Sequence, residues 1–413
     1  MSSLPQHQPG ETPYLEGIRV LDFTQYLAGP ATTRLMAEMG AEVIKVELPP
    51  YGDPTRPSPP RRNRRSAYLV QQNRGKQSLC IDPSKPQGLE VLNELVAKVD
   101  VVVENYSPGV MARRGLSYDD LKSINPRIIM CSISGFGQHG PLSTKTAYDF
   151  IAQAYSGVMH MTGDPDGPPL FSGIGVADTA TGVHGFAAIG YALFRRDRTG
   201  QGTHLDIGMV DSMYHMQEYA VSSPSLDPSL EPTRSGRDYG AVSPAGSFKA
   251  PQGWIVIFAA ENQIKALWKA MGQPELADDP RFARNPERLE NRAELTEVIE
   301  AWMATFSTDA QVIEALEAQR VPCGPVVRPW ELADAHPHFV ERGTVRTVQD
   351  PYTGPIQVPG FPLRFSDAPE LPDLVAADLG EHNERVLTEV LGYDSEAVRA
   401  LESSGVLYKK TRD

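Results

Sequence analysis

The first half of the chain alternates short apolar runs with longer stretches in which apolar residues return every three or four positions. The runs at 20–23, 42–46, 79–82, 101–104 and 128–134 have the length and bounds of buried strands. Between them, 30–39 reads as a helix with Gly40 just past its end, and 89–97 as another. Ser117 with Asp120 makes a capping-box variant ahead of a short helix. This is the βαβ rhythm of a doubly wound sheet. Further on, Val183, Phe186, Ala187, Gly190, Leu193 and Phe194 keep helical spacing, and Arg195, Arg196 and Arg198 suit the negative end of the helix.

The pattern changes near Tyr219. A Pro-, Ser- and Gly-rich linker leads to a strand at 254–259 and helices at 264–271 and 293–306, with a third running from a Thr308–Gln311 capping box to 319. A second Pro- and Gly-rich stretch, 321–329, opens a tail with a last helix near 384–391. The fold class is therefore α/β. A large Rossmann-like domain takes 1–218, a linker with a small α+β domain takes 219–328, and a return linker with the remainder of the large domain takes 329–413.

With 413 residues and 40% apolar content, the chain is long enough for two or three domains. No apolar run approaches the roughly 20 residues that span a bilayer, and the polar stretch from Met1 to Pro13 lacks a signal-peptide core, so a cytoplasmic protein is expected. Cys80, Cys131 and Cys323 are too few and too far apart for a disulfide framework or a metal site. A net charge of −13 opposes nucleic acid and anionic membranes as partners. An anionic ligand needs local positive charge instead. The densest cluster is Arg61, Arg62, Arg64 and Arg65, readable either as a solvated loop or as a phosphate grip. Gly135-Phe136-Gly137-Gln138-His139-Gly140 fits a dinucleotide pattern, but Pro141 stands where the phosphate-binding helix should begin. His336 and His338 have no neighbouring ligands that would suggest a metal.

Asp178 is the residue with most chemical promise. It follows Ser172-Gly173-Ile174-Gly175 and opens the helix described above. A carboxylate there either caps the helix or attacks an activated carbonyl.

The motifs around it carry a resemblance. Leu21-Asp22-Phe23-Thr24 with Ala28-Gly29-Pro30, Gly40 to Glu47, Gly52-Asp53-Pro54-Thr55-Arg56, Asn73-Arg74-Gly75-Lys76 and Glu104-Asn105-Tyr106 look like the family III CoA-transferases. Thr199-Gly200-Gln201-Gly202, Asp279-Pro280-Arg281-Phe282, Pro322-Cys323-Gly324-Pro325 and Gly380-Glu381-His382-Asn383 extend the likeness over nearly the whole chain. The resemblance implies a large domain built from both chain ends and a homodimer of interlocked rings. It makes Asp178 the nucleophile of a CoA transfer that passes through aspartyl anhydrides and an aspartyl-CoA thioester. Backbone N–H groups near Gly175 and the helix start would stabilise the oxyanions.

By the same resemblance, Leu27, Ile81, Asp82, Ser84, Lys85, Asn105, Tyr106, Arg113, Tyr148 and Asp149 line the site for coenzyme A, a substrate rather than a prosthetic group. No metal is implied. Leu27 replaces a glutamine and Leu48 an arginine of formyl-CoA transferase, which disfavours oxalate and formate and suits a larger acyl chain. The rival reading is a 2-methylacyl-CoA racemase, which needs an acid/base pair where this chain offers Tyr148. A CoA-binding protein without turnover is the reading from another class.

Overall fold

The computed structural model describes residues 12–369 and 374–410. They form two compact units. One comprises the described residues up to Ser156, Gly173–Met216 and those from His338 on, and the other Gly157–Ser172 and Gln217–Pro337. The second unit thus takes up 157–172, a stretch that the sequence reading assigns to the large domain. Arg234 ties it down, donating from Nε to Asp164 O at 3.0 Å and from Nη2 to Gly167 O at 2.9 Å.

The first unit is built on six parallel strands: β1 (Arg19–Asp22), β2 (Glu42–Glu47), β3 (Lys76–Cys80), β4 (Val101–Glu104), β5 (Ile129–Ser134) and β6 (Thr203–Gly208). Their spatial order is β3-β2-β1-β4-β5-β6, which reverses between β1 and β4. Val101, Val102 and Val103 are all fully buried, as expected of a strand covered on both faces. The β1 helix connection, α1 (Ala28–Glu38), starts two residues before the sequence reading places it. α2 (Ala67–Asn73) precedes β3, and α3 (Pro86–Val96) uses Pro86 at its first turn and buries Val91, Leu92, Leu95 and Val96. The capping box of α4 (Tyr118–Ile124) forms on Ser117 and Asp120. α5 (Asp149–Tyr155), the 24-residue α6 (Val176–Thr199) and α7 (Met209–His215) complete the layers around β5 and β6.

The face that α6 buries differs from the expected stripe. Thr181, Gly182, Gly185, Ile189, Ala192, Leu193 and Arg196 point inward, while Val183 and Phe194 are exposed. The cause is a close approach to α1. A Cβ on Gly182 would stand 2.7 Å from Ala28 O, and Thr32 Oγ1 donates to Gly182 O at 2.9 Å. Only the small residues of α6 allow that contact, so they outrank the larger apolar ones.

In the second unit, β7 (Ala245–Lys249), β8 (Trp254–Phe258) and β9 (Cys323–Pro325) make an antiparallel sheet in the order β9-β8-β7. Helices α8 (Ile264–Ala270), α9 (Arg292–Met303) and α10 (Asp309–Glu317) pack Trp268, Ile299 and Leu316 into its core, and the Thr308–Gln311 box caps α10. Returning to the first unit, β10 (Val345–Asp350) and β11 (Gly354–Pro359) form a hairpin. The C-terminal segment then runs back along the sheet, with Asp82 N donating to Val406 O at 2.9 Å. The region expected as one helix at 384–391 holds a short helical turn and a π-helical turn, Val386–Val390. The last helix is α11 (Ser395–Ser403), capped by Asp394.

Candidate active site

In an open parallel sheet the crevice lies beyond the strand ends where the order reverses, here past β1 and β4. Asn105, directly after β4, clasps Gln25 in the segment after β1. Its Oδ1 accepts from Gln25 N at 2.8 Å and its Nδ2 donates to Gln25 O at 2.8 Å. Lys45 and Lys76, both buried, hold the flanks of that segment. Lys45 Nζ donates to Thr24 O at 2.6 Å and pairs with Asp53 at 2.9 Å. Lys76 Nζ donates to Pro30 O at 3.1 Å and pairs with Asp22 at 3.1 Å. Burial depresses Lys45, but Asp53 and Asp22 outweigh it and leave the ammonium above its usual range. At Lys76 burial wins and brings the group down to about 7.

So held, the segment presents Tyr26 in a left-handed conformation (φ 63°) and sets Leu27 against the start of α6, where a Cβ on Gly175 would come within 2.7 Å of its Cδ2. Gly175 is the N-cap residue of α6. Asp178 therefore lies in the first turn of the helix and does not cap it. Asp149 does: its Oδ2 accepts from Ala177 N at 2.8 Å and Asp178 N at 3.1 Å, and its Oδ1 accepts from Gln153 Nε2. The expected oxyanion donors change accordingly. Val176 N bonds Ile174 O and Thr179 N bonds Gly175 O, so with Ala177 and Asp178 the first-turn donors are spent.

Burial, reinforced by the neighbouring Asp149 charge, pushes the Asp178 carboxyl up to about 7. A carboxylate poised near neutrality is more nucleophilic than an ordinary one and still ionised often enough to react. Tyr68, which the sequence reading did not single out, faces the same charges. Burial, Asp178, Asp53 and Asp149 together push its phenol up to about 12, which keeps it a neutral O–H donor. Tyr26 and Tyr148 meet edge-on with ring centroids 6.1 Å apart, and Tyr148 is 60% exposed. Leu27 and Asp149 thus meet the start of α6, the turn that carries Asp178, and Tyr148 precedes Asp149 in the chain.

The other residues named from sequence lie elsewhere on the same unit. Asp82, Ser84 and Arg113 share a cleft of about 520 Å³ with Leu48, Pro49 and Arg114. Ser84 donates to Asp82 Oδ1 from its N at 2.9 Å and its Oγ at 2.6 Å. Lys85 Nζ is bound to Ser404 O at 2.6 Å, and Ile81 is fully buried in the core. Tyr106 packs against that core with the Arg114 guanidinium 4.8 Å above its ring. The arginine cluster is split. Arg65 is buried, pairing with Asp350 at 3.0 Å and Asp378 at 3.1 Å, and Arg62 donates to Thr353 O. Asn63 and Arg64, both with positive φ, form the tight turn between them. Among the described residues no group of three or more His, Cys, Asp or Glu is placed to hold a metal, and no helix is long and apolar enough to cross a membrane.

Fold and site define an α/β enzyme with one half-buried carboxylate beside its switch-point crevice. CoA-transferase family III matches residues 15–383, and the chain belongs to that family. It is 38% identical to the succinyl-CoA:glutarate CoA-transferase of Mus musculus over 98% of this chain and 92% of that one. It is 36% identical to the formyl-CoA:oxalate CoA-transferase of Streptomyces avermitilis over 96% of this chain and 100% of that one. The crystal structure of a CAIB/BAIF family protein from Brucella suis superposes with a TM-score of 0.82 at 34% identity, covering 92% of this chain and 100% of that one. The chain is a CoA-transferase.

Proposed function

We propose that the enzyme moves CoA from an acyl-CoA donor to a free carboxylic acid through covalent intermediates on Asp178. An Asp178 oxygen attacks the thioester carbonyl and the C–S bond breaks, giving a mixed anhydride and CoA thiolate. The thiolate attacks the aspartyl carbonyl, expels the donor carboxylate and leaves an aspartyl-CoA thioester. The acceptor carboxylate attacks that thioester, and the returning thiolate takes the acceptor acyl group and frees Asp178. The observation that carries this reading is the Asp178 carboxyl itself, set beside Asp149 and shifted to about 7. Tyr68 supplies a neutral donor near the reacting oxygens. The curated relatives named above act on glutarate and oxalate, which supports a dicarboxylic acid as one substrate.

The test is to incubate the enzyme with acyl-CoA but no acceptor, quench with hydroxylamine and map the adduct by mass spectrometry. A hydroxamate on the Asp178 peptide is expected. An active enzyme that yields no label there rules the mechanism out.

We further propose an interlocked homodimer. Phe150, Ile151 and Tyr155 on α5, with Val183, Tyr191 and Phe194 on α6, are exposed apolar side chains that a second subunit would cover. Sedimentation at nanomolar concentration should show a dimer, and an active monomer would refute it.

A further inference from the structure

In a chain of net charge −13, a cleft of the first unit is lined mainly by cations. It measures about 880 Å³ and is lined by five cations, Arg56, Arg61, Arg64, Arg65 and Lys410, against two acids, Asp53 and Asp378. Internal pairs use up part of that charge: Arg56 pairs with Glu47 at 2.5 Å, Arg65 with Asp350 and Asp378, and Asp53 with Lys45. Arg61 and Lys410 have no side-chain hydrogen bond or ion pair to any described residue. They come from opposite ends of the chain. Arg61 stands on the 61–66 hairpin, and Lys410 is fixed by its backbone N–H, which donates to Leu379 O at 3.2 Å. Tyr51, Pro54, Pro57 and Leu69 supply apolar wall to the same cleft.

Tyr68 links the cleft to the nucleophile: its phenol feels both Asp53, on the cleft wall, and Asp178, and Leu69 next to it in sequence is a wall residue. A cleft with apolar wall and two unspent cations fits a methylene chain that ends in an anion.

We propose that Arg61 and Lys410 form a binding site for a substrate oxyanion remote from the reacting carbonyl. This rests on the transferase reading above. Two sources carry that chemistry: the second carboxylate of a dicarboxylic acid, and a phosphate of CoA. The proposal separates Arg61 from its neighbours Arg62 and Arg65, whose guanidinium groups are spent on holding the hairpin to the Asp350–Thr353 turn.

The test uses the full-length double variant Arg61→Gln/Lys410→Gln, both positions being exposed, with unchanged thermal unfolding as the control for folding. Transfer is measured to glutarate and to pentanoate, and from a CoA thioester and its 3′-dephospho counterpart. Loss of hydrogen bonds to a charged group should raise one KM by about 10-fold or more at nearly constant kcat. If glutarate alone is affected, the anion is the second carboxylate. If the CoA ester is affected and the dephospho ester is not, it is the 3′-phosphate. Arg61→Lys/Lys410→Arg should restore the affected KM. Equal effects on all four substrates, or none, would overturn the proposal. Calorimetric titration of glutarate and of CoA against wild type and variant needs no turnover. Selective weakening there in an enzyme that lacks transfer would leave the anion site standing and refute the transfer mechanism instead.

Discussion

Replacing Asp178 by Asn should abolish transfer and, at alkaline pH, stabilise the fold. The carboxyl ionises at 3.8 in an unfolded chain and near 7 in the folded one. Between those values the folded state holds a proton that the unfolded state has released, so wild-type stability falls as pH rises from 4 to 7 and is flat above. At about 1.4 kcal/mol per unit the full shift corresponds to roughly 4 kcal/mol, and partial solvent access reduces it to about 2. Asn has nearly the same volume and carries no charge to desolvate beside Asp149. For a unit of this size the gain is about 3 °C in Tm at pH 8, and about 1 °C at pH 5, where much of the wild-type carboxyl is still protonated. Thermal unfolding at matched ionic strength reads both values, with mass spectrometry to exclude deamidation. A variant destabilised by the same amount at both pH values would show that Asp178 is a structural hydrogen-bonding group, and near-normal transfer would show that it is no nucleophile.

Two further outcomes follow from the same geometry. Because the attacking form of Asp178 is the carboxylate, kcat/KM for the acyl-CoA donor should fall about tenfold per pH unit below 7, and a flat profile from pH 5.5 to 7.5 would contradict the shift. Asn105→Asp keeps the acceptor for Gln25 N but loses the donor to Gln25 O, so kcat should drop about tenfold with less than a threefold change in KM; a rise in KM alone would make Asn105 a direct CoA contact instead.

How much of this is legible in sequence depends on the range of the interaction. The strands and capping boxes are local, and Ser117–Asp120 and Thr308–Gln311 form where their spacing says they should. The likeness to a known family places Asp178 in the chain. Its environment is another matter. Burial raises Asp178 most, and the group that caps α6 and adds its charge to that shift is Asp149, about thirty residues upstream; no local pattern pairs the two. Tyr68 lies more than a hundred residues away, and nothing in the sequence around it ties it to Asp178.

The arginine cluster misleads for a related reason. Charge density in sequence does not say which guanidinium finds a carboxylate, and the acids that bury Arg65 come from positions 350 and 378. The face of α6 is the instructive case. Periodicity weights large apolar residues and so favours Val183 and Phe194, but the contact with α1 is decided by what Gly182 and Gly185 lack. Their missing side chains let the two helices close. Because Ala28 and Thr32 of α1 meet α6 there, the same contact fixes Leu27 and Tyr26, one residue further back, beside Asp178. A Cβ at position 182 would press on Ala28 O from 2.7 Å, and would therefore reach the chemistry through the backbone that positions it, without touching substrate.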